Sequence, residues 1–232
     1  KAVKEVCDEN NLFLIEDCCD ALGSLYDQKK VGTFGDLATI SFYPAHHITT
    51  IEGGAVLTSD ALINEIVVSL RDWGRDCYCL TGRDNTCGIR FEHQKGHLPK
   101  GYDHKYIYSD MGYNLKATDI QAAVGIAQIK KVEDFRAIRE RNFQRLYEGL
   151  KKFEDIFILP KKHPNADPSW FGFIITLREN CMFARTELIK FLDDQGVKNR
   201  LLFGGNLTKQ PYFIDYHIGY RQVSDLHNTD II

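Results

Sequence analysis

Ser41-Phe42-Tyr43-Pro44-Ala45-His46-His47-Ile48-Thr49-Thr50-Ile51-Glu52-Gly53-Gly54 reads as a strand end, a polar turn and a glycine pair. Outward from it, Leu37 to Tyr43 is predicted as one strand and Gly53 to Thr58 as another, after which Ser59-Asp60 caps a helix running to about Trp73. Upstream, Leu12 to Ile15 form a short apolar run ending in Glu16-Asp17, the pattern of a buried parallel strand. Residues 2–10 have helical periodicity. This alternation predicts a helix-flanked sheet, an α/β fold whose strand ends carry the chemistry.

Downstream the texture changes. From Gly74 to about Gly112, Gly, Asp, Asn, His, Lys and Tyr dominate, no period persists and three cysteines crowd the first part. A loop of that length is usually functional or disordered. A long helix is expected from Ala117 to about Lys152, with Ile120, Val124 and Ala127 on one face. After Pro160 a strand over Phe171 to Leu177, a helix from about Arg185 to Gln195 and a short segment from Val197 to Phe203 suggest a smaller second domain.

With 232 residues the chain can bury an ordinary core. Its net charge of -3 gives no global field for nucleic acid or an anionic membrane, so a small-molecule site is expected. There is no apolar run of the ~20 residues that a spanning helix needs and no secretory pattern, so a cytoplasmic protein is expected. The chain opens at Lys1 within an amphipathic helix, without a methionine or an N-terminal cap, which points to a fragment of a longer protein. Seven unevenly spaced cysteines argue against a disulfide framework and for metal binding or chemistry.

The segment around His46 resembles the DegT/DnrJ/EryC1/StrS sugar aminotransferases. In that family Ser-Phe is followed by three variable residues, a lysine and then Gly-Glu-Gly-Gly, and the lysine holds pyridoxal phosphate covalently. His46 stands in the lysine's place, and Ile51 replaces a glycine. Imidazole cannot make that link, yet it moves protons near neutral pH. The exchange excludes transamination by the usual route and leaves chemistry on a cofactor that arrives already aminated, with His46 taking a proton from its C4′ carbon. A dead enzyme or a structural histidine is the bland alternative, against which the intact motif weighs.

The resemblance implies an aspartate-aminotransferase-like fold, type I of the pyridoxal-phosphate-dependent transferases. Residues 1–130 would form part of the large α/β/α cofactor domain, including loop 74–112. Residues 131–232 would hold the interdomain helix and a smaller C-terminal α+β domain. Ser41 matches the residue whose hydroxyl binds the cofactor phosphate. Leu14-Ile15-Glu16-Asp17-Cys18-Cys19-Asp20 resembles the family stretch Glu-Asp-Ala-Ala followed by Gln or His. Asp17 falls on the aspartate that pairs with the pyridine nitrogen, where a carboxylate lets the ring take up electron density. Asp20 takes the place of the residue that meets the ring hydroxyl. Asn114, in Gly112-Tyr113-Asn114-Leu115-Lys116, matches an asparagine that reaches the phosphate of the neighbouring subunit, which implies a homodimer. Arg200 and Lys209 lie in a segment similar to one that faces the sugar nucleotide.

Between Cys19 and Cys77 there are 57 residues, then one to Cys79 and seven to Cys87. This spacing matches the deviant family branch that dehydrates a CDP-linked 4-keto-6-deoxy sugar at C3 and that also exchanges lysine for histidine. By that resemblance the four thiolates hold a [2Fe-2S] cluster beside the pyridine ring. Zinc and inert thiols are the alternatives, and Cys18 is an alternative to Cys19. The implied reaction uses pyridoxamine phosphate on CDP-4-keto-6-deoxy-D-glucose and expels the C3 hydroxyl. Electrons would come through the cluster from an NADH-dependent flavin and iron-sulfur reductase, giving a 3,6-dideoxy sugar for cell-surface polysaccharide. Rival readings are a cluster-free dehydrase of the colitose type and a non-catalytic metal-binding protein on this scaffold.

Overall fold

The computed structural model describes residues 1–79 and 82–212. In chain order its elements are α1 (Ala2–Glu9), β1 (Ile15–Asp17), β2 (Leu25–Tyr26), β3 (Lys29–Lys30), β4 (Leu37–Ser41), β5 (Gly54–Leu57), α2 (Ala61–Arg71), α3 (Asp119–Ile129), α4 (Val132–Leu150), β6 (Phe157–Ile158), β7 (Ala166–Asp167), β8 (Thr176–Leu177) and α5 (Arg185–Asp194).

By contacts the chain divides into Lys1–Glu140 with His163–Phe171, and Arg141–Lys162 with the described residues from Gly172 onward. This division differs from a boundary at residue 130. The first part of α4 groups with the first unit, and residues 163–171 return to it because β7 pairs with β2 there.

In the first unit, β4 is the central strand of three. It pairs in parallel with β1, setting Asp17 opposite Thr39, and antiparallel with β5, setting Ser41 opposite Gly54. Ala38 in β4 is fully buried, whereas Ile15 at the edge is 60% exposed. The parallel register brings the Asp17 end of β1 beside the Ser41 end of β4, so the two stretches that carry the family resemblance share one sheet end.

Glu16 fastens the chain that leads into β4. Its carboxylate accepts backbone N–H groups from Gly32 at 2.9 Å, Phe34 at 2.6 Å and Gly35 at 2.7 Å. Helix α2 begins at Asp60, whose side chain accepts from the Ile63 N–H at 2.9 Å. Thr118 and Gln121 form a capping box at the start of α3.

The expected single helix from 117 to 152 is two helices. α3 stops at Lys130, and Glu133 and Asp134 supply the acidic first turn of α4, which suits the positive end of a new helix dipole. The second unit pairs β6 with β8 antiparallel. Of the strand expected over 171–177 only Thr176–Leu177 pairs, and 197–203 carries no strand. A short apolar run satisfies strand propensity without securing a partner for its backbone. Among the described residues no helix is long and apolar enough to cross a membrane.

Candidate active site and metal-binding loop

The strand-end site is assembled from Asp17, Asp20, Thr39, Ser41 and His46. Asp17 closes β1, and its Oδ1 accepts from the Cys19 backbone N–H at 3.1 Å and the Thr39 hydroxyl at 3.4 Å. The Cys19 thiol and backbone N–H, then the Thr39 hydroxyl, hold the Asp17 carboxyl below the usual carboxylate range. Ser41 ends β4, and its hydroxyl accepts from the Tyr43 N–H at 3.2 Å.

His46 sits in the turn after β4, its backbone N–H donating to the Tyr43 carbonyl at 2.9 Å. Its ring meets Tyr43 and Phe171 edge-on, each with centroids 5.5 Å away. His46 Nε2 lies 3.3 Å from Asp20 Oδ1. That contact is within ion-pair range but off hydrogen-bond alignment, and both Asp20 Oδ1 and His46 Nδ1 are buried without a hydrogen-bond partner among the described residues. Unpaired buried polar atoms are costly, and here two of them sit on side chains that the sequence marks for chemistry.

His47, the other histidine of the segment, is structural. It is buried, its Nε2–H donates to the Ser169 carbonyl at 2.7 Å, and burial pushes its imidazole below its ordinary value. Ile51 adopts φ 75°, a backbone that favours glycine, so the turn keeps the glycine-type conformation at the strain cost of a β-branched residue, about 1–3 kcal/mol. Beside this segment a cleft is lined by Pro44, His46, His47, Phe135 and Arg139. Burial lowers the Arg139 guanidinium, whose NH1 nitrogen lacks a hydrogen-bond partner.

Loop 74–112 is closed at its neck by two glycines. A Cβ on Gly74 would stand 1.9 Å from the Asp110 carbonyl oxygen, and one on Gly112 would stand 2.3 Å from the Gly74 nitrogen. The Trp73 N–H donates to the Tyr113 carbonyl at 2.9 Å and the Ser109 N–H to the Gly74 carbonyl at 3.0 Å. Asp72 bridges to Asn114 through the backbone, and Asn114 is exposed. The Lys116 ammonium donates to Asp72 at 2.9 Å and lies 4.2 Å from the Trp73 ring centroid.

Inside the loop, donor atoms of Cys77, Cys79 and His104 lie within 4.8 Å of one another. Cys87 joins them through its Sγ, 3.4 Å from His104 Nε2. The Thr86 hydroxyl beside Cys79 pulls its thiol down to about 7, and burial raises that of Cys77. Cys19 lies outside this group, with its Sγ 3.5 Å from the Thr39 hydroxyl and its thiol raised by burial. Cys18 is 4% exposed, and burial pushes it up to about 11.

The structure therefore brings Asp17, Asp20, Ser41 and His46 to one sheet end and Cys77, Cys79 and Cys87 to one loop, and it leaves Cys19 with the first set. Three contributors lay outside the sequence reading: Thr39, Phe171 and His104. Thr39 was legible only through strand register. Phe171 and His104 stand among apolar or polar residues with no periodic signal.

The match to known sequences settles the kinship. The chain belongs to the DegT/DnrJ/EryC1/StrS aminotransferase family, which it matches over residues 1–232. Within that family it is 56% identical over 230 residues to the lipopolysaccharide biosynthesis protein RfbH of Salmonella typhimurium. It is 51% identical over 230 residues to the dTDP-4-dehydro-2,6-dideoxy-D-glucose 3-dehydratase of Saccharopolyspora spinosa. Both alignments cover 99% of this chain, but 52% and 49% of those proteins, so the chain spans about half their length. Among solved structures it is similar to an E. coli GDP-4-keto-6-deoxy-D-mannose-3-dehydratase with bound hydrated PLP. That likeness has 25% identity and a TM-score of 0.77, covering 92% of this chain and 52% of that one. The DegT/DnrJ/EryC1/StrS scaffold is the type I fold of pyridoxal-phosphate-dependent enzymes, as the sequence motifs imply.

The strand-end residues fit the family's cofactor. Asp17 offers a carboxylate held ionised for a protonated ring nitrogen, Ser41 a hydroxyl for a phosphate, and the unpartnered Asp20 Oδ1 and His46 Nδ1 offer buried polar atoms for a polar group to satisfy. The loop thiols fit a thiolate-bound metal group, with three cysteines and no carboxylate in the cluster.

Proposed function

We infer that the full-length protein is a pyridoxamine-phosphate-dependent sugar 3-dehydratase, acting on a nucleotide-linked 4-keto-6-deoxy sugar in the making of a dideoxy sugar. The observation that carries this reading is His46 in the place of the family lysine, beside Asp20 at 3.3 Å and at the same sheet end as Asp17. Two relatives support it. RfbH acts in lipopolysaccharide biosynthesis and the Saccharopolyspora enzyme is a sugar 3-dehydratase by name.

When bound, the cofactor would supply an amine that takes up the C4 ketone and a ring that accepts the electron density released as the C4′–H bond breaks, density that passes to the sugar as the C3 hydroxyl leaves with its bonding pair. Asp17 would hold the ring nitrogen protonated, its own charge kept first by the Cys19 thiol and backbone N–H and then by the Thr39 hydroxyl. Ser41 binds the phosphate. The Asp20 carboxylate only accepts, so closing this 3.3 Å contact into a hydrogen bond would place the hydrogen on His46 Nε2. His46 Nδ1 then keeps a lone pair in a buried position, ready to take the C4′ proton. Tyr43 and Phe171 restrict the imidazole plane.

For the finer assignment, CDP-4-keto-6-deoxy-D-glucose would be the substrate, and Cys77, Cys79 and Cys87, with Cys19 as fourth thiolate, would hold a [2Fe-2S] cluster whose chemistry would be electron transfer from an NADH-dependent reductase. The protein works as a homodimer in which Asn114 reaches the neighbouring cofactor phosphate. The position of Cys19 outside the loop group favours a second reading, zinc on the loop and no cluster. Iron, sulfide and zinc analysis of protein purified without oxygen separates the two.

The central test incubates the full-length protein with pyridoxamine phosphate and the CDP sugar. Loss of the C3 hydroxyl is expected, and His46→Asn should abolish it while cofactor affinity changes less than about threefold, since the loss is in proton transfer rather than in binding. Undiminished dehydration by that variant, or borohydride trapping of the vitamin on the unaltered protein, overturns the reading.

A further inference from the structure

The Cys-rich loop contains a buried histidine to which neither the motif nor the mechanism above gives a role. His104 is 1% exposed, the most deeply buried large side chain among the described residues. It opens the short 3-10 turn His104–Tyr106, and its backbone is held on both sides. Its N–H donates to the Arg90 carbonyl at 3.0 Å, and its carbonyl accepts from the Ile107 N–H at 3.1 Å. Asp103, just before it, caps the turn by accepting from the Lys105 N–H at 3.1 Å and takes the Arg90 guanidinium at 2.6 Å. The ring itself stacks on His93, with centroids 5.0 Å apart and planes 10° apart. Main chain and ring plane are therefore both set before any ligand arrives.

That fixed ring points Nε2 at Cys87 Sγ, 3.4 Å away, while Nδ1 is buried with no hydrogen-bond partner among the described residues. An apolar core position would be filled better by a side chain without two nitrogens, and a buried half-satisfied imidazole costs free energy unless its remaining bond is strong. A thiolate can only accept, and in a site shut off from water an N–H donated to it is stronger than in solution. We propose that His104 Nε2–H donates a hydrogen bond to the Cys87 thiolate, positioning that ligand and drawing charge away from the metal group it helps to hold. His104 is thus a positioning residue that acts through Cys87, with His93 as the plate that keeps its ring in register. Donation to a ligand sulfur stabilises the more negative, reduced form of an iron-sulfur group, so it raises the reduction potential.

The proposal rests on the reading of Cys77, Cys79 and Cys87 as thiolate metal ligands, because only a thiolate is bound to accept from Nε2, and any thiolate-bound metal, iron or zinc, meets that condition. Its test has two readouts. First, full-length protein, His104→Gln and His104→Leu are reconstituted with iron and sulfide without oxygen, and iron content, EPR spectrum and midpoint potential are measured. The Leu variant should load iron as the unaltered protein does and show a more negative potential, with the Gln variant, which keeps an N–H of similar reach, shifted less. An unchanged potential in a fully loaded Leu variant, or a strongly coupled nitrogen showing His104 bound directly to iron, overturns the proposal. Second, nitrogen NMR of the zinc-loaded full-length protein labelled in histidine should show His104 as the Nε2–H tautomer, with its signal displaced by Cys87→Ala. An Nδ1–H tautomer overturns the proposal even where His104→Leu fails to fold. Failure of every form to take up iron and sulfide, with that tautomer present, counts against the cluster and not against the His104–Cys87 bond.

Discussion

His46 Nε2 lies 3.3 Å from Asp20 Oδ1, and the other imidazole nitrogen is buried with no hydrogen-bond partner among the described residues. The pair resembles a general base and its orienting carboxylate, joined across 26 residues by the parallel register of β1 and β4. Asp20→Asn would present either an amide N–H or a weaker acceptor to Nε2 and would release the tautomer that leaves Nδ1 free. Dehydration should fall on the order of 10²-fold with cofactor binding little altered, as measured by single-turnover kinetics against cofactor titration.

Thiol chemistry should distinguish the cysteines in metal-free protein. Cys79, brought down to about 7 first by the Thr86 hydroxyl, is largely thiolate at pH 8, whereas Cys18, pushed by burial to about 11, stays protonated. Mass-spectrometric mapping of iodoacetamide labelling should find Cys79 modified well before Cys18, with a rate that rises through pH 7. Thr86→Ala should move that rise to higher pH. Equal labelling of the two sites would contradict the arrangement of the loop.

The neck of loop 74–112 should be intolerant of a single methyl group. Gly74→Ala combines a φ of 78° with a Cβ 1.9 Å from the Asp110 carbonyl oxygen, and it should lower stability by about 3 kcal/mol. Gly82→Ala has the same φ of 78° and, chain neighbours aside, no atom of the described residues within 4 Å of its Cβ, so it should cost about 1 kcal/mol. Denaturant titration of the two variants separates collision from backbone strain.

Glu16 accepts three backbone N–H groups from Gly32, Phe34 and Gly35. Glu16→Gln keeps the size, removes the charge and turns one acceptor into a donor facing those N–H groups, which should destabilise the protein by about 2 kcal/mol. Because these bonds tie down the approach to β4, the variant should also weaken cofactor binding. Equilibrium unfolding and cofactor titration check the two effects.

Much of the fold was legible. The strands around Leu37–Ser41 and Gly54–Leu57, the Asp60 cap and the helices at 2–9 and 185–194 follow from periodicity and capping, which are local. The break at Lys130 was missed because both halves keep helical periodicity, and only the acidic pair Glu133 and Asp134 hints at a new start. Two-residue strands such as Leu25–Tyr26 and Ala166–Asp167 leave no period to detect, and among the described residues Ala166–Asp167 pairs only with Leu25–Tyr26, some 140 residues earlier in the chain.

The amino-acid order alone determined the reactive groups: an imidazole at residue 46, carboxylates at 17 and 20, and thiols at 57, one and seven residues' separation. Those are covalent facts and need no folding. Which groups meet was decided by tertiary structure. It placed Asp20 against His46, kept Cys19 on Thr39 instead of among the loop thiols, and buried His104 against Cys87. Such meetings depend on strand register and loop closure, whose contacts join residues far apart in the chain and leave no periodic trace in it.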